Sequence, residues 1–118
     1  MTINHLNLVV TNVAKAITFF ENFFSFTCTA VKGENMIAIL KNNDGFTLVL
    51  ITDKEGNDAY PKDFHIGFMQ SSVQEVDKLH SKLKESGIAV GDTPKNIRDS
   101  YGFYFHFDNL FIEVGHYI

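Results

Sequence analysis

The first half of the chain changes from a strand-like to a helix-like spacing of hydrophobic residues, and then back. Residues 3–10 alternate apolar and β-branched positions, which predicts a strand. Apolar side chains next recur at Val13, Ile17, Phe20 and Phe24, so a helix is predicted over about 13–25, behind an N-cap at residues 11–12. Turn-forming residues then separate three further predicted strands, at 26–31, 36–41 and 46–51.

The second half repeats this order. Residues 64–70 form a strand pattern, and Ser72 to Glu75 match a capping box that begins a helix. Gly87 suits the position just after the end of that helix. Strands are predicted at 88–90, 101–107 and 110–115, with a loop at 91–100 and a tight hairpin turn at 108–109.

Two pairs of similar short segments support an internal duplication. Residues 5–9 resemble 65–69 at an offset of 60 positions, and 46–50 resemble 110–114 at an offset of 64. The prediction is therefore an α+β single domain made of two βαβββ modules, at 1–52 and 64–118, joined by a polar linker at 53–63. Together the modules would form a cupped mixed sheet with the helices on its outer face.

Strand alternation indicates which side chains share a face. Leu6 and Leu8 should meet the first helix, which leaves His5 and Asn7 on the opposite, open face. His65 should be on the open face of its strand. With a two-residue turn at 108–109, Tyr104 stands opposite Glu113.

If the open faces curl together, His5, His65, Glu113 and Tyr104 can converge in one cleft. Two histidines and a carboxylate form the facial triad that holds a divalent metal and leaves positions open for substrate. Imidazole and carboxylate ligands suit Fe, Mn, Zn, Co or Ni, so the residue types do not choose among these metals.

Composition excludes several classes of protein. A net charge of −4 disfavours nucleic acid binding, because phosphates require a basic surface. No stretch of about 18 apolar residues exists, so no membrane span is expected. The single cysteine, Cys28, fits a reducing, cytoplasmic location. Twelve phenylalanines and no tryptophan predict a phenylalanine-rich core or pocket.

Several residues have simpler interpretations. His106 is expected at a rim, His116 is expected to be exposed near the C-terminal end, and His80 should face solvent beside helix lysines. The stripe of Phe19, Phe23 and Phe26 is expected in the core or at a dimer interface.

Four sequence motifs follow one another in a characteristic order: the helix motif at 17–26, the opening of the second module at 64–68, and the two strands of the last hairpin at 103–105 and 109–114. Their order and spacing resemble the vicinal oxygen chelate superfamily of glyoxalases, bleomycin resistance proteins and extradiol dioxygenases, across essentially the whole chain.

The resemblance implies metal ligands on the first and last strands of each module. Three of these positions match ligands, namely His5, His65 and Glu113, and Val49 occupies the fourth. This set departs from the four-ligand pattern of glyoxalase I and resembles ring-cleaving dioxygenases and fosfomycin-resistance thiol transferases.

The resemblance leaves two hypotheses with a small-molecule site open, besides a structural or partner-binding domain that has lost activity. The first is a metal-dependent enzyme with lyase or isomerase, dioxygenase or thiol transferase chemistry, in which Tyr104 and Glu113 are catalytic. The second is a metal-free protein of the bleomycin-resistance type that binds a drug or other small molecule. Either would form a homodimer, and its binding site could use the following residues: Asn7, Val49, Lys95, Arg98 and Phe111.

Overall fold

A computed structural model describes residues 1–91 and 93–118, and these divide into two compact units, Met1–Ala59 and Tyr60–Ile118. Within the described residues there are two helices and eight strands. The elements of the first unit are β1 (His5–Val9), α1 (Val13–Phe23), β2 (Thr27–Lys32), β3 (Ile37–Lys41) and β4 (Thr47–Ile51).

The first unit is a mixed sheet in the order β1-β4-β3-β2, in which β1 runs parallel to β4 and the other neighbours are antiparallel. Alternate residues of its strands, including Leu8, Leu40, Leu48 and Leu50, are almost completely buried. Helix α1 packs against β2, β3 and β4. The side chain of Asn12 accepts a hydrogen bond from the Lys15 amide at 3.0 Å, which confirms the predicted N-cap.

Phenylalanines fill the space around α1. Phe19, Phe20, Phe24 and Phe26 are all buried, and Phe20 is fully enclosed. The ring of Phe20 stands edge-on to those of Phe19 and Phe26, at centroid distances of 5.1 and 6.0 Å. These are favoured aromatic geometries. The predicted phenylalanine-rich core is therefore confirmed for this unit.

The second unit repeats the plan with the order β5-β8-β7-β6, and β5 runs parallel to β8. Its elements are β5 (Ile66–Met69), α2 (Val73–Glu85), β6 (Lys95–Ile97), β7 (Ser100–Phe107) and β8 (Leu110–Tyr117). Helix α2 packs against β7 and β8. The two mixed sheets, each with its own helix, confirm the predicted α+β class and the βαβββ modules.

Both ends of α2 are capped as the sequence predicts. The Ser72 hydroxyl accepts a hydrogen bond from the Glu75 amide at 3.1 Å. At the other end Gly87 has φ +87°, its amide bonds to the carbonyl of Lys84, and the Ile88 amide bonds to the carbonyl of Leu83. This pair of bonds is a Schellman motif.

The predicted strand at 88–90 is wrong, and the Schellman motif explains the error. Ile88 is the apolar residue that follows the left-handed glycine in such a motif, and Val90 is buried without strand pairing. The strand is instead Lys95–Ile97, inside the predicted loop at 91–100. Asp92, in that same loop, lies outside the described residues.

The structure pairs β7 and β8 as the sequence predicts. Phe107 pairs with Leu110 around the two-residue turn, and Tyr104 pairs with Glu113. Strand β8 extends two residues further than predicted, to Tyr117. Neither of the helices in the described ranges is long and apolar enough to cross a membrane.

The prediction that His80 faces solvent is wrong. Its relative exposure is only 6%, and its ring stands edge-on to Phe103 at a centroid distance of 4.8 Å. His80 is four residues after Val76 and three before Leu83, so it shares their buried helical face. The neighbouring lysines, on which the prediction relied, extend from other faces of α2.

Close backbone approach at Gly102 yields a stability prediction. Gly102 pairs with Gly115, and a Cβ at residue 102 would collide with the backbone of Val114 and Gly115. Gly102→Ala should therefore lower the free energy of unfolding by about 1–3 kcal/mol, the usual cost of overpacking. Urea denaturation measures the change.

Gly115→Ala is the matched control on the paired strand. A Cβ there would mainly meet the flexible end of Met69, at 3.4 Å. Its stability should stay within about 1 kcal/mol of the wild type. Equal stabilities of the two variants would contradict the close approach at Gly102.

Candidate functional site

The hydrogen-bond registers of the two units identify their equivalent positions. Asn7 pairs with Val49 across the parallel strands of the first unit, and Gly67 pairs with Glu113 in the second. These pairs reproduce the offsets of 60 and 64 residues in the sequence. Val49 is therefore the structural counterpart of Glu113, as the sequence comparison predicts.

In the second unit, His65 and Glu113 lie side by side. The His65 Nε2 atom is 3.5 Å from Glu113 Oε1. The Glu113 side chain is largely shielded, with 18% relative exposure, and that of His65 is exposed to 37%. Parallel pairing of β5 with β8 produces this approach, because His65 directly precedes β5 and Glu113 is in the middle of β8.

A hydrogen bond fixes the tautomer of His65. Its Nδ1 atom is 2.9 Å from the carbonyl oxygen of Asp63. A carbonyl can only accept, so Nδ1 carries the proton, and in the neutral ring Nε2 carries a lone pair. That lone pair then faces a carboxylate oxygen. Two acceptors at this separation need a cation or a proton between them.

A divalent ion fits this requirement. Metal-binding histidines usually donate their other N–H to a carbonyl or carboxylate, as His65 does. Imidazole nitrogen and carboxylate oxygen bind such ions at about 2.0–2.2 Å. Two donor atoms 3.5 Å apart can both reach one ion at that distance. Two of the three predicted ligands, His65 and Glu113, therefore have donor atoms that one divalent ion could reach.

Gly67 and Tyr104 flank the Glu113 carboxylate. A Cβ at Gly67 would lie 3.4 Å from Glu113 Oε1, at van der Waals distance, so Gly67 borders that oxygen. On the other side, the Tyr104 hydroxyl donates a hydrogen bond to Glu113. Burial raises the pKa of the Tyr104 phenol, and the hydrogen bond and negative charge of Glu113 raise it further. Tyr104 is therefore a neutral proton donor at physiological pH.

Aromatic rings surround the imidazole of His65. It stands edge-on to Tyr104 and Phe111, at centroid distances of 5.4 and 5.7 Å. Phe111 in turn stacks on His106 at 4.5 Å. His106 is itself exposed, as expected for a rim residue.

These side chains open into a cavity of about 710 Å³. That volume is in the range of small-molecule sites. Residues of the second unit line it, namely Asp63, His65, Ile97, Arg98, Asp99, Ser100, Tyr104, Phe111, Glu113 and Tyr117.

Arg98 and Lys95, two of the predicted substrate-binding residues, have different positions. Arg98 lies in the two-residue turn between β6 and β7 and lines the cavity. Its positive charge acts on Tyr104, where it partly opposes the rise of the pKa. Lys95 lies in β6, pairs with Gly102, and is not among the lining residues.

The remaining predicted site residues belong to the first unit. His5 is exposed at the start of β1, and its Nδ1 atom is 2.8 Å from Asn4 Oδ1. Asn7 is exposed and Val49 is half-buried. Across residues 1–91 and 93–118, no three His, Cys, Asp or Glu side chains form a group that could hold a metal ion.

Some lining residues were not predicted from the sequence. Tyr117 follows Glu113 at an even spacing, so a longer β8 would have placed it on the same face. Ile97, Asp99 and Ser100 belong to the β6–β7 hairpin, which the sequence analysis misplaced. Asp63 contributes its backbone carbonyl to His65, and no side-chain pattern reveals such a role.

Solved structures with the same fold cover nearly the whole chain. A possible glyoxalase from Bacillus cereus is 40% identical, with a TM-score of 0.85 and 98% of each chain covered. A lactoylglutathione lyase from Agrobacterium tumefaciens is 19% identical, with a TM-score of 0.77, and the match covers 98% of this chain and 92% of that one.

A genomically encoded fosfomycin resistance protein from Listeria monocytogenes is also 19% identical, with a TM-score of 0.75 and coverage of 99% of this chain and 91% of that one. At these identities the last two likenesses concern the fold. The family model for the Glyoxalase/Bleomycin resistance protein/Dioxygenase superfamily matches residues 2–111. The chain therefore belongs to the glyoxalase, bleomycin resistance protein and dioxygenase superfamily, and the resemblance in its sequence is confirmed.

Proposed function

We propose that this protein is a divalent-metal-dependent enzyme that acts on a small oxygenated substrate. The observation that carries the proposal is the pair formed by His65 Nε2 and Glu113 Oε1, 3.5 Å apart, with the lone pair of the imidazole directed by the Asp63 carbonyl.

His5 is the proposed third ligand. Its Nδ1 atom also meets an oxygen, the side-chain Oδ1 of Asn4, so its neutral ring likewise has the lone pair on Nε2. His5 and His65 are equivalent in the duplicated sequence and share this tautomer. The third ligand is supplied either by His5 of the same chain or by His5 of a second copy in a homodimer.

A bound divalent ion would act as a Lewis acid on two neighbouring oxygens of the substrate. The chain's own residues supply the remaining chemistry. Tyr104 holds a proton at its hydroxyl, beside Glu113, and can donate it to a substrate oxygen. Phe111 and Tyr117 line the cavity and provide aromatic surface against which a substrate can pack.

The proposal includes lyase or isomerase, dioxygenase and thiol transferase reactions, which share this use of a metal. The match to a possible glyoxalase at 40% identity favours the lyase or isomerase class.

The three aromatic side chains of the cavity, Tyr104, Phe111 and Tyr117, favour a second candidate, a metal-free protein that binds a drug or another aromatic small molecule.

Metal content separates the two candidates. Protein purified without a tag or chelator should hold about one divalent ion per chain, and His65→Ala, Glu113→Ala and His5→Ala should each lose at least about tenfold in metal affinity. Elemental analysis and a titration with Mn, Fe, Zn, Co and Ni provide the measurement.

His106→Ala is the control, because His106 stacks on Phe111 but is not a proposed ligand. It should keep the metal. If the wild-type protein stays metal-free after loading, the enzyme proposal fails. Tight binding of a flat aromatic drug that a chelator does not affect would then support the second candidate.

Mixed dimers identify the origin of the third ligand. If a second copy supplies His5, a dimer of one His5→Ala chain and one Glu113→Ala chain keeps one complete set of ligands. Chains with two different tags, co-expressed and purified in tandem, should then bind about one ion per mixed dimer with wild-type affinity, although each variant alone binds metal at least about tenfold more weakly. If His5 acts within its own chain, the mixed dimers should bind metal as weakly as the single variants.

The ionisation of Tyr104 can be measured in metal-free protein. Because its pKa is raised, the phenol should stay protonated beyond the ordinary midpoint near pH 10. Subtracting the ultraviolet titration of Tyr104→Phe from that of the wild type isolates this group. The wild-type step should occur above pH ~10.

Glu113→Gln tests the cause of this shift. Removing the carboxylate charge should move the Tyr104 step back toward the ordinary pH, while the part due to burial remains. A step at or below pH ~10 in the wild type would contradict the hydrogen bond between Tyr104 and Glu113.

A further inference from the structure

The first unit has a cavity of its own, on the face of its sheet that is turned away from α1. Its volume is about 400 Å³, at the small end of the range for small-molecule sites. The strand registers pair Lys32 with Ile37, and Ile37 with Ile51, so these side chains form a row across β2, β3 and β4. All three residues line the cavity.

Most of the other surface in this cavity is apolar. Ile37 is a large hydrophobic residue, yet 39% of its surface is exposed, and Met36 lines the cavity beside it. The equivalent positions of the second unit carry glycines, Gly102 and Gly115, which form the corresponding cross-strand pair. The first unit therefore has exposed isoleucine surface where the second has bare backbone. Such surface favours a ligand with a hydrocarbon part.

Two lysines supply the charge of this cavity. Lys32 and Lys54 line it, and within the described residues no carboxylate does. Neither lysine forms an ion pair within 4.0 Å in the part of the chain that the structure describes. Asp53, next to Lys54 in the sequence, instead accepts hydrogen bonds from the amides of Glu55 and Asn57. The two ammonium groups are therefore available to an anionic ligand.

Backbone hydrogen bonds hold the wall of the cavity in place. The turn residues 33–35 all have left-handed conformations, with φ between +53° and +66°. The Met36 amide closes this turn by donating to the Lys32 carbonyl at 3.2 Å, and the Thr52 amide donates to the Met36 carbonyl at 3.1 Å. The turn is thus tied to the end of β4, and the side chains of Lys32 and Met36 start from fixed backbone positions.

We propose that this cavity binds a small amphiphilic anion, with a short hydrocarbon chain against the isoleucines and an acidic head group beside Lys32 and Lys54. The chain gains free energy as it leaves water, and the ammonium groups attract the head group. The inference goes beyond the proposed function, because this cavity shares no lining residue with the cavity that contains His65 and Glu113.

Octanoate is the probe, with butyrate, hexanoate and neutral 1-octanol as comparisons. The full chain is titrated with each at an ionic strength of about 0.1 M, where salt screens distant charges. The amide chemical shifts of Gly33 and Thr52 should move and saturate, on a curve that those of Ser100 and Tyr104 in the other cavity do not follow. Affinity should rise by up to about fourfold for each added methylene, the value for complete burial.

Removal of the lysine charges should affect only the anions. Lys32→Gln combined with Lys54→Gln should weaken octanoate binding roughly tenfold, the value of two exposed ion pairs, and leave 1-octanol unchanged. Lys41→Gln combined with Lys84→Gln is the matched control, because it removes the same charge from exposed residues outside the cavity. The control should change octanoate affinity by less than about twofold.

Ile37→Thr tests the apolar part of the cavity. Threonine keeps the β-branched shape that strands favour but has less apolar surface. The variant should weaken octanoate and 1-octanol alike, by roughly fivefold. Circular dichroism verifies that each variant is folded.

Three results would overturn the proposal: shifts that move only around Tyr104, an equal loss of affinity in the control variant, or an affinity that does not rise with chain length. Two other occupants would also overturn it. Binding to phosphatidylglycerol vesicles without saturable octanoate binding would assign the surface to a membrane. A dimer that Ile37→Thr dissociates, again without saturable octanoate binding, would assign it to a second copy of the chain. A failure of the metal proposal affects none of these measurements, because no residue of this cavity is a proposed ligand.

Discussion

The parallel pairing of β5 with β8 is the constraint on which the site depends. It joins the first and last strands of the second unit in a register that sets Gly67 against Glu113, and it brings His65 within 3.5 Å of that carboxylate. A shift of one residue would turn Glu113 toward the buried face, where a carboxylate without a partner is costly. The apolar neighbours Ile112 and Val114 are fully buried and hold the register, so the packing of the core positions the donor atoms.

The first unit has the equivalent strand register, but apolar residues occupy the positions that correspond to Glu113 and Tyr104. Val49 takes the place of Glu113, and its antiparallel neighbour is Ile39, where the second unit has Tyr104. The two polar residues of the second unit depend on each other, because a shielded carboxylate needs a donor and a shielded phenol needs an acceptor. An apolar pair needs neither. Duplication of the backbone therefore did not require duplication of the chemistry, and only the histidine position is shared by both units.

Much of the fold followed from hydrophobic periodicity, which predicted both helices and seven of the eight strands in the described residues. The pairing of Tyr104 with Glu113 followed from the two-residue turn at 108–109. The prediction from the sequence was wrong where backbone hydrogen bonds at the end of a helix determine the conformation. Ile88 and Val90 look like a strand, but the carbonyl of Leu83 and the left-handed Gly87 bind this segment to the end of α2. With the sixth strand misplaced, the hairpin that carries Arg98 and the cavity wall at Ser100 could not be predicted.

The histidines show how much the environment adds to residue type. His80 and His65 are indistinguishable by composition, yet His80 packs edge-on against Phe103 on the buried face of a helix. His65 directs Nδ1 to a backbone carbonyl and Nε2 to a carboxylate. The carbonyl comes from Asp63, in the segment between the two units' strands, where the sequence shows only a polar linker. The proposed ligand His65 is thus distinguished from His80 by the acceptor that fixes its proton, and that acceptor belongs to the backbone, which carries no signal in the sequence.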